Sequence, residues 1–173
     1  MKKKSTYRVN FIDNQGTSMI ELLVVMAIMA VLVGSAVNIV GYLGGKQARQ
    51  CAYKMDAMLS ETRMETMSKS TGEKDSVYLT IKNDGGKIYA IQTIKGTDNS
   101  TLLGSSVKVK AVDVKGSEME LGDGTSLSVY FNRATGALYD EAGNYCKMRI
   151  TQGTATYVVS IVPTTGKISY ERE

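Results

Sequence analysis

From Met19 to Leu43 the chain carries one charged residue, Glu21, and from Leu22 to Val33 nothing polar at all. A helix rises about 1.5 Å per residue, so roughly 22 residues from Leu22 cover about 33 Å, close to a hydrocarbon core of about 30 Å. The run therefore predicts a membrane span. Lys2, Lys3, Lys4 and Arg8 precede it, and a longer, charge-balanced segment follows it. That asymmetry predicts an N-terminus held in the cytoplasm and an exported C-terminal part. A secretory signal peptide shares the basic start and apolar middle, and Gly34-Ser35-Ala36 offers a small-residue cut. Apolar residues continue beyond that cut as Val37, Ile39, Val40 and Leu43, which favours a retained span. Glu21 is the anomaly. A carboxylate at the start of a lipid-facing helix costs on the order of 2.5 to 3.5 kcal/mol at mid-bilayer, and less near an end, so a compensating group is expected.

At 173 residues and 18.8 kDa the chain suits one core plus an appendage. It has no His, no Trp and two Cys. A Ser-His-Asp site is thereby excluded, as is a four-ligand Cys/His zinc site. No phosphate-binding G-x-x-x-x-G-K-S/T loop, G-x-S-x-G elbow or H-E-x-x-H pair occurs. Neither catalysis nor a cofactor is expected. The formal charge of +4 is largely N-terminal: beyond residue 16, seventeen basic residues face sixteen acidic ones. Attraction of the whole protein to DNA is not supported by that balance.

The string Gln15-Gly16-Thr17-Ser18-Met19-Ile20-Glu21-Leu22-Leu23-Val24-Val25-Met26-Ala27-Ile28 resembles the prepilin processing segment of type IV pilins and pseudopilins. A polar basic leader ends in Gly, and Glu follows shortly before a long apolar helix. The resemblance implies cleavage by a prepilin peptidase between Gly16 and Thr17, with the hydrophobic segment retained. It also implies N-methylation of the new first residue, commonly Phe in the family and Thr17 here. Glu21 would then help recruit a subunit into the growing filament. Physically, the free amine at Thr17 and the Glu21 carboxylate of a neighbouring subunit neutralise each other in poorly solvated surroundings. A carboxylate that merely snorkels to the headgroups is the simpler reading. The implied partners are other pilin or pseudopilin subunits, the peptidase, membrane lipid before assembly, and a membrane assembly platform with a cytoplasmic ATPase.

Beyond Gly44-Gly45, residues Ala48, Cys51, Ala52, Met55, Met58, Leu59 and Thr62 recur at helical spacing, which predicts a helix to about Ser68. Arg49, Lys54, Asp56, Glu61, Arg63 and Glu65 form its charged side. Met55, Met58, Met64 and Met67 are expected in the core. With the apolar half this makes one helix of about 50 residues, near 75 Å. Gly41, Gly44 and Gly45 each weaken the junction by roughly 1 kcal/mol relative to Ala, so bending or melting is expected there. From Glu73 on, the period becomes two. Val77 to Ile81 and Lys87 to Ile91 flank the turn Asn83-Asp84-Gly85-Gly86 and predict a hairpin. Further strands are expected at 107–114, 118–121, 126–131, 146–151, 156–162 and 167–170, forming one antiparallel sheet covered by the helix.

The expected organisation is a cleaved leader (1–16), a membrane or filament-core half-helix (17–45), an amphipathic half (46–70) and a β-rich exported head (71–173). This is an α+β, pilin-like fold. The segment Leu127 to Gly136 is also similar to strand-turn segments of minor pilins and pseudopilins. Cys51 on the helix stripe and Cys146 beside Met148 and Ile150 should both point into the helix–sheet interface. A disulfide and two separate core thiols are both open. Asp84, Asp123, Asp140, Glu141 and Asn144 could bind calcium, but their Gly-turn settings favour turn formation. Lys82, Lys87, Lys95, Lys108, Lys110 and Lys115 could form a patch for DNA or a host surface, though Lys alternating with Val on a solvated sheet face is the commoner cause. Asn99-Ser100-Thr101 matches a glycosylation sequon of little specificity.

The functional expectation is a structural subunit, a minor pilin or pseudopilin more than a major pilin. It is stored in the cytoplasmic membrane and assembled into a filament used for adhesion, motility, secretion or DNA uptake. The alternative is a membrane-tethered module whose β-rich head binds an extracellular ligand.

Overall fold

The computed structural model describes residues 18–43, 45–69, 76–141 and 143–173. The chain divides between Ile39 and Val40 into two units. Most of α1 (Met19–Leu43) belongs to the first. Its described side chains, from Met19 to Gly34, are exposed on every side of the helix. Over the described residues, no helix is long and apolar enough to cross a membrane.

The second unit holds α2 (Lys46–Lys69) and nine strands: β1 (Val77–Asp84), β2 (Lys87–Ile94), β3 (Thr97–Ser105), β4 (Lys108–Asp113), β5 (Glu118–Glu120), β6 (Ser126–Val129), β7 (Tyr145–Gln152), β8 (Ala155–Ile161) and β9 (Ile168–Arg172). Two helices stand where one was expected, α1 ending at Leu43 and α2 starting at Lys46. The Gly45 carbonyl accepts the first α2 bond, from Arg49 N–H at 3.0 Å. A Cβ at Gly45 would stand 2.9 Å from the Ala155 Cβ, so only glycine fits this approach.

The strands make two sheets, not the single one expected: β3-β2-β1-β6 and β5-β4-β7-β8-β9, with neighbours antiparallel throughout. An isolated parallel bridge between Ser128 and Asn144 links them. The Gly85-Gly86 turn forms as expected, both glycines at positive φ, and sets Asp84 opposite Lys87. Strand β3 is an addition to the expected set.

One core joins α2 to both sheets. Ala48, Cys51, Ala52, Met55 and Leu59 meet Leu79, Ile81, Ile88 and Ala90 from the first sheet and Val109, Met148, Ile150 and Val159 from the second. The helix stripe continues through buried Thr62 and Thr66. Met58 is partly buried, but Met64 and Met67 are 62 % and 42 % exposed, so the methionine core ends earlier than expected. The register between β2 and β3 shifts where Ile88 faces Gly104 and Tyr89 faces Leu102. The extra residue, Leu103, is turned into the core, as a bulge re-aims a side chain. Gly104 beside it lets α2 approach closely, since a Cβ there would lie 3.1 Å from the Cys51 Cβ.

Candidate functional site

At the start of α1, Ser18 and Glu21 cap the helix reciprocally. Ser18 N–H donates to Glu21 Oε2 at 2.9 Å, and Glu21 N–H donates to Ser18 Oγ at 3.3 Å. Leu22 N–H reaches Ser18 O at 3.2 Å and begins the helical ladder. The first amides of a helix lack internal acceptors, and a Ser at the cap with Glu three residues on satisfies two donors at once. The negative charge also complements the positive helix end. The carboxylate therefore has a local structural use in addition to its expected intermolecular one. Oε2 is the oxygen that serves the cap. The S-x-x-E spacing was the available sequence signal for this cap.

Gly16, Thr17 and the leader 1–16 lie outside the described residues. Beyond Glu21 the side chains from Leu22 to Val33 are all exposed and apolar. A helix segment apolar and exposed all round differs from the one-sided stripe of a surface helix.

The cysteines are both free thiols. Cys51 lies fully buried on α2, and burial pushes its thiol up to about 12 against a slight opposing effect of Lys54. Cys146 is only partly buried. The register of β4 on β7 shifts so that Val112 faces Lys147 and Asp113 faces Tyr145, leaving Cys146 as the extra residue. Its Sγ lies 3.6 Å from Val112 O and 3.5 Å from Asp113 O. The bulge thus breaks the alternation that would have given Cys146 the same setting as Met148 and Ile150. Its thiol is also raised, chiefly by burial.

Asp84, Asp123, Asp140, Asn144, Lys82, Lys110 and Lys115 have turn or ion-pair roles. Asp123 Oδ1 accepts Gly85 N–H at 2.6 Å, while Asn144 accepts Tyr130 N–H and donates to the Tyr130 and Tyr139 carbonyls. Among the described residues no cluster of three metal-ligating side chains forms. Asp84, Glu120 and Asp140 pair with Lys82, Lys110 and Lys115 at 3.9, 3.8 and 2.7 Å, so half of the lysines considered are partly neutralised by neighbours.

The residue that sequence reading passed over is Asp113. Its Oδ1 accepts Lys115 and Ser117 N–H at 2.9 and 2.8 Å, and its Oδ2 accepts Gly143 N–H at 3.1 Å. Hydrogen bonds from Gly143, then Ser117, hold its carboxyl below the usual carboxylate range, with burial opposing. Gly143 lies 30 positions beyond Asp113, whereas Lys115 and Ser117 follow it directly, a convergence that no local pattern reveals.

Residues 13–37 match the family described as the prokaryotic N-terminal methylation motif, the signature of prepilin segments in type IV pilins and pseudopilins. The motif supports a type IV pilin-like or pseudopilin subunit in general. It implies assembly with other pilin subunits and processing by prepilin peptidase. No curated protein and no solved structure matches the chain.

Proposed function

We propose that this chain is a type IV pilin-like or pseudopilin subunit of the minor kind, processed between Gly16 and Thr17 and built into a filament through α1. The carrying observation is the coincidence of the methylation motif at residues 13–37 with a helix apolar on every side and headed by Glu21. An exposed apolar cylinder requires lipid before assembly and other helices after it. The apolar sequence run from Met19 to Leu43 is taken as the membrane span, entered with the N-terminus inside. Cleavage at Gly16 creates an amine four residues before Glu21, and Glu21 of one subunit receives the Thr17 amine of the next. The assembly platform and its cytoplasmic ATPase are the remaining partners. The filament serves adhesion, motility, secretion or DNA uptake.

Intact-mass and N-terminal peptide spectrometry of protein from native membranes tests the proposal. The expected product begins at Thr17, unmethylated or carrying one methyl group, and retains residues 19–43. A filament-incorporated product with residues 1–16 still attached overturns it. An intact leader on a membrane-bound, unassembled chain favours the tethered binding module. A start after Ala36 means simple secretion.

A further inference from the structure

Two adjoining clefts of about 280 and 360 Å³ open beside the first turns of α2 and share Lys46 and Arg49. Tyr157 and Arg172 close the first; Tyr53 and Tyr170 close the second. Among the described residues no carboxylate lines either. The β8–β9 register explains the one-sided charge. Tyr157 faces Arg172 and Val159 faces Tyr170, whereas Glu171, opposite Val158, alternates to the other face. Glu173 is engaged there too, by Arg149 at 3.3 Å. The described ion pairs involve neither Arg49 nor Arg172.

We infer that these clefts hold a phosphate group, and that the phosphate belongs to a membrane lipid. Guanidinium forks from two different elements, with a lysine beside them, match the oxygens of a phosphate better than a single point charge does. The tyrosines indicate the source. Tyr53 and Tyr170 pack edge to face at 6.2 Å and 78°, and Tyr53 is mostly exposed. Rings with a polar tip are favoured where lipid meets water. Chain length limits how far Lys46 can stand from the end of the span. Lys46 follows Leu43 by three residues, which reach at most about 11 Å, and the headgroup layer is about 5 to 7 Å deep on each side. The lipid source rests on α1 being the membrane span of the proposed function; the phosphate chemistry does not.

Native mass spectrometry of the detergent-solubilised full chain, titrated with phosphatidylglycerol, tests this. The spectrum also reports whether the leader is present, so failure of the processing proposal is read separately from failure of this one. Each cation near an anionic surface is worth about five-fold in affinity, so R49A/R172A is expected to weaken lipid retention about twenty-five-fold. K87A/K108A, which removes the same charge from exposed positions elsewhere, is expected to retain lipid like the wild type. Equal retention by R49A/R172A and wild type overturns the inference, as does an equal loss in K87A/K108A. Displacement of the lipid by equimolar inorganic phosphate overturns the lipid source, and displacement by a single-stranded oligonucleotide overturns it in favour of nucleic acid.

Discussion

Gln92 Nε2 donates to Thr62 Oγ1 at 3.1 Å, a hydrogen bond between β2 and α2 sealed within the core. Thr62 is 0 % and Gln92 3 % exposed. The same hydroxyl donates to the Met58 carbonyl at 2.7 Å, and Thr66 Oγ1 repeats the pattern on Thr62 O at 2.8 Å. Two helix threonines thus extend an apolar stripe by turning their donors back on the helix, leaving one acceptor to receive the sheet.

Thr62→Val keeps the shape but leaves the Gln92 amide without this acceptor, a loss expected to cost about 1 to 3 kcal/mol. Thr62→Val combined with Gln92→Leu should recover part of that cost, because both polar partners are then gone. Urea unfolding of the detergent-solubilised full chain closes the cycle. Strict additivity of the two single variants would show that the pair is not coupled.

The cap at Ser18 allows the two uses of Glu21 to be separated. Gln also completes a capping box, so Glu21→Gln preserves the helix start and removes only the charge. It is expected to insert into membranes normally and to enter filaments poorly. Ser18→Ala should weaken the helix start by about 1 kcal/mol and leave filament entry near wild type. Quantitative immunoblotting of sheared filaments distinguishes them. Wild-type entry of Glu21→Gln would reduce the carboxylate to a cap.

The stripe from Ala48 to Thr62 could be read from sequence because one helix face repeats every turn and all its members meet a single core. The Gly85-Gly86 hairpin was equally local. Strand β3 was not, since residues 97–102 are exposed and carry no alternation. It exists as the edge partner of β2, across a turn with Lys95 at φ 50° and Gly96 at φ 80°. The split into two sheets also escaped sequence reading, because alternation identifies inward faces and says nothing of which strand is the neighbour. For the candidate site, Glu21 stood out by its charge, whereas its partner Ser18 is an ordinary residue until the helix start is known.

Arg63 ties α2 to two turns of the head. Its Nε donates to Gly136 O at 2.9 Å and its Nη2 to Thr165 O at 3.1 Å. Arg63→Ala is expected to destabilise by about 1 to 3 kcal/mol, and Arg63→Lys to restore at most part, since an ammonium lacks the planar fork. Gly166→Ala should cost more than either. At φ 64° its new Cβ would run into the Gly136 carbonyl. Melting temperatures rank the three, and a benign Gly166→Ala would contradict the packing of these turns.

Asp113 predicts acid sensitivity of a defined sign. Its folded carboxyl titrates below the ordinary carboxylate range, so the charged form stabilises the fold. That contribution is complete above the unfolded value of about 3.9 and is lost as pH falls through the lower folded value. The melting-temperature gap between wild type and Asp113→Asn should be widest near neutrality, begin to narrow as pH falls to about 4, and close below the lower folded value. A gap independent of pH would mean that the Gly143, Ser117 and Lys115 amides do not depend on the charge.

The thiols give a prediction of opposite sign. Cys51 titrates at about 12 in the fold against an ordinary 9.0, so the folded state binds a proton that the unfolded state releases first. Its contribution is whole below pH 9 and disappears as pH rises from 9.0 to about 12. Cys51→Ala should therefore flatten the alkaline loss of stability. Because the thiolate is the reactive form, native labelling at pH 7 is expected to leave Cys51 untouched. Denaturation without reductant should release two labelled thiols per chain. Recovery of none would mean a Cys51–Cys146 bridge in place of the two free thiols.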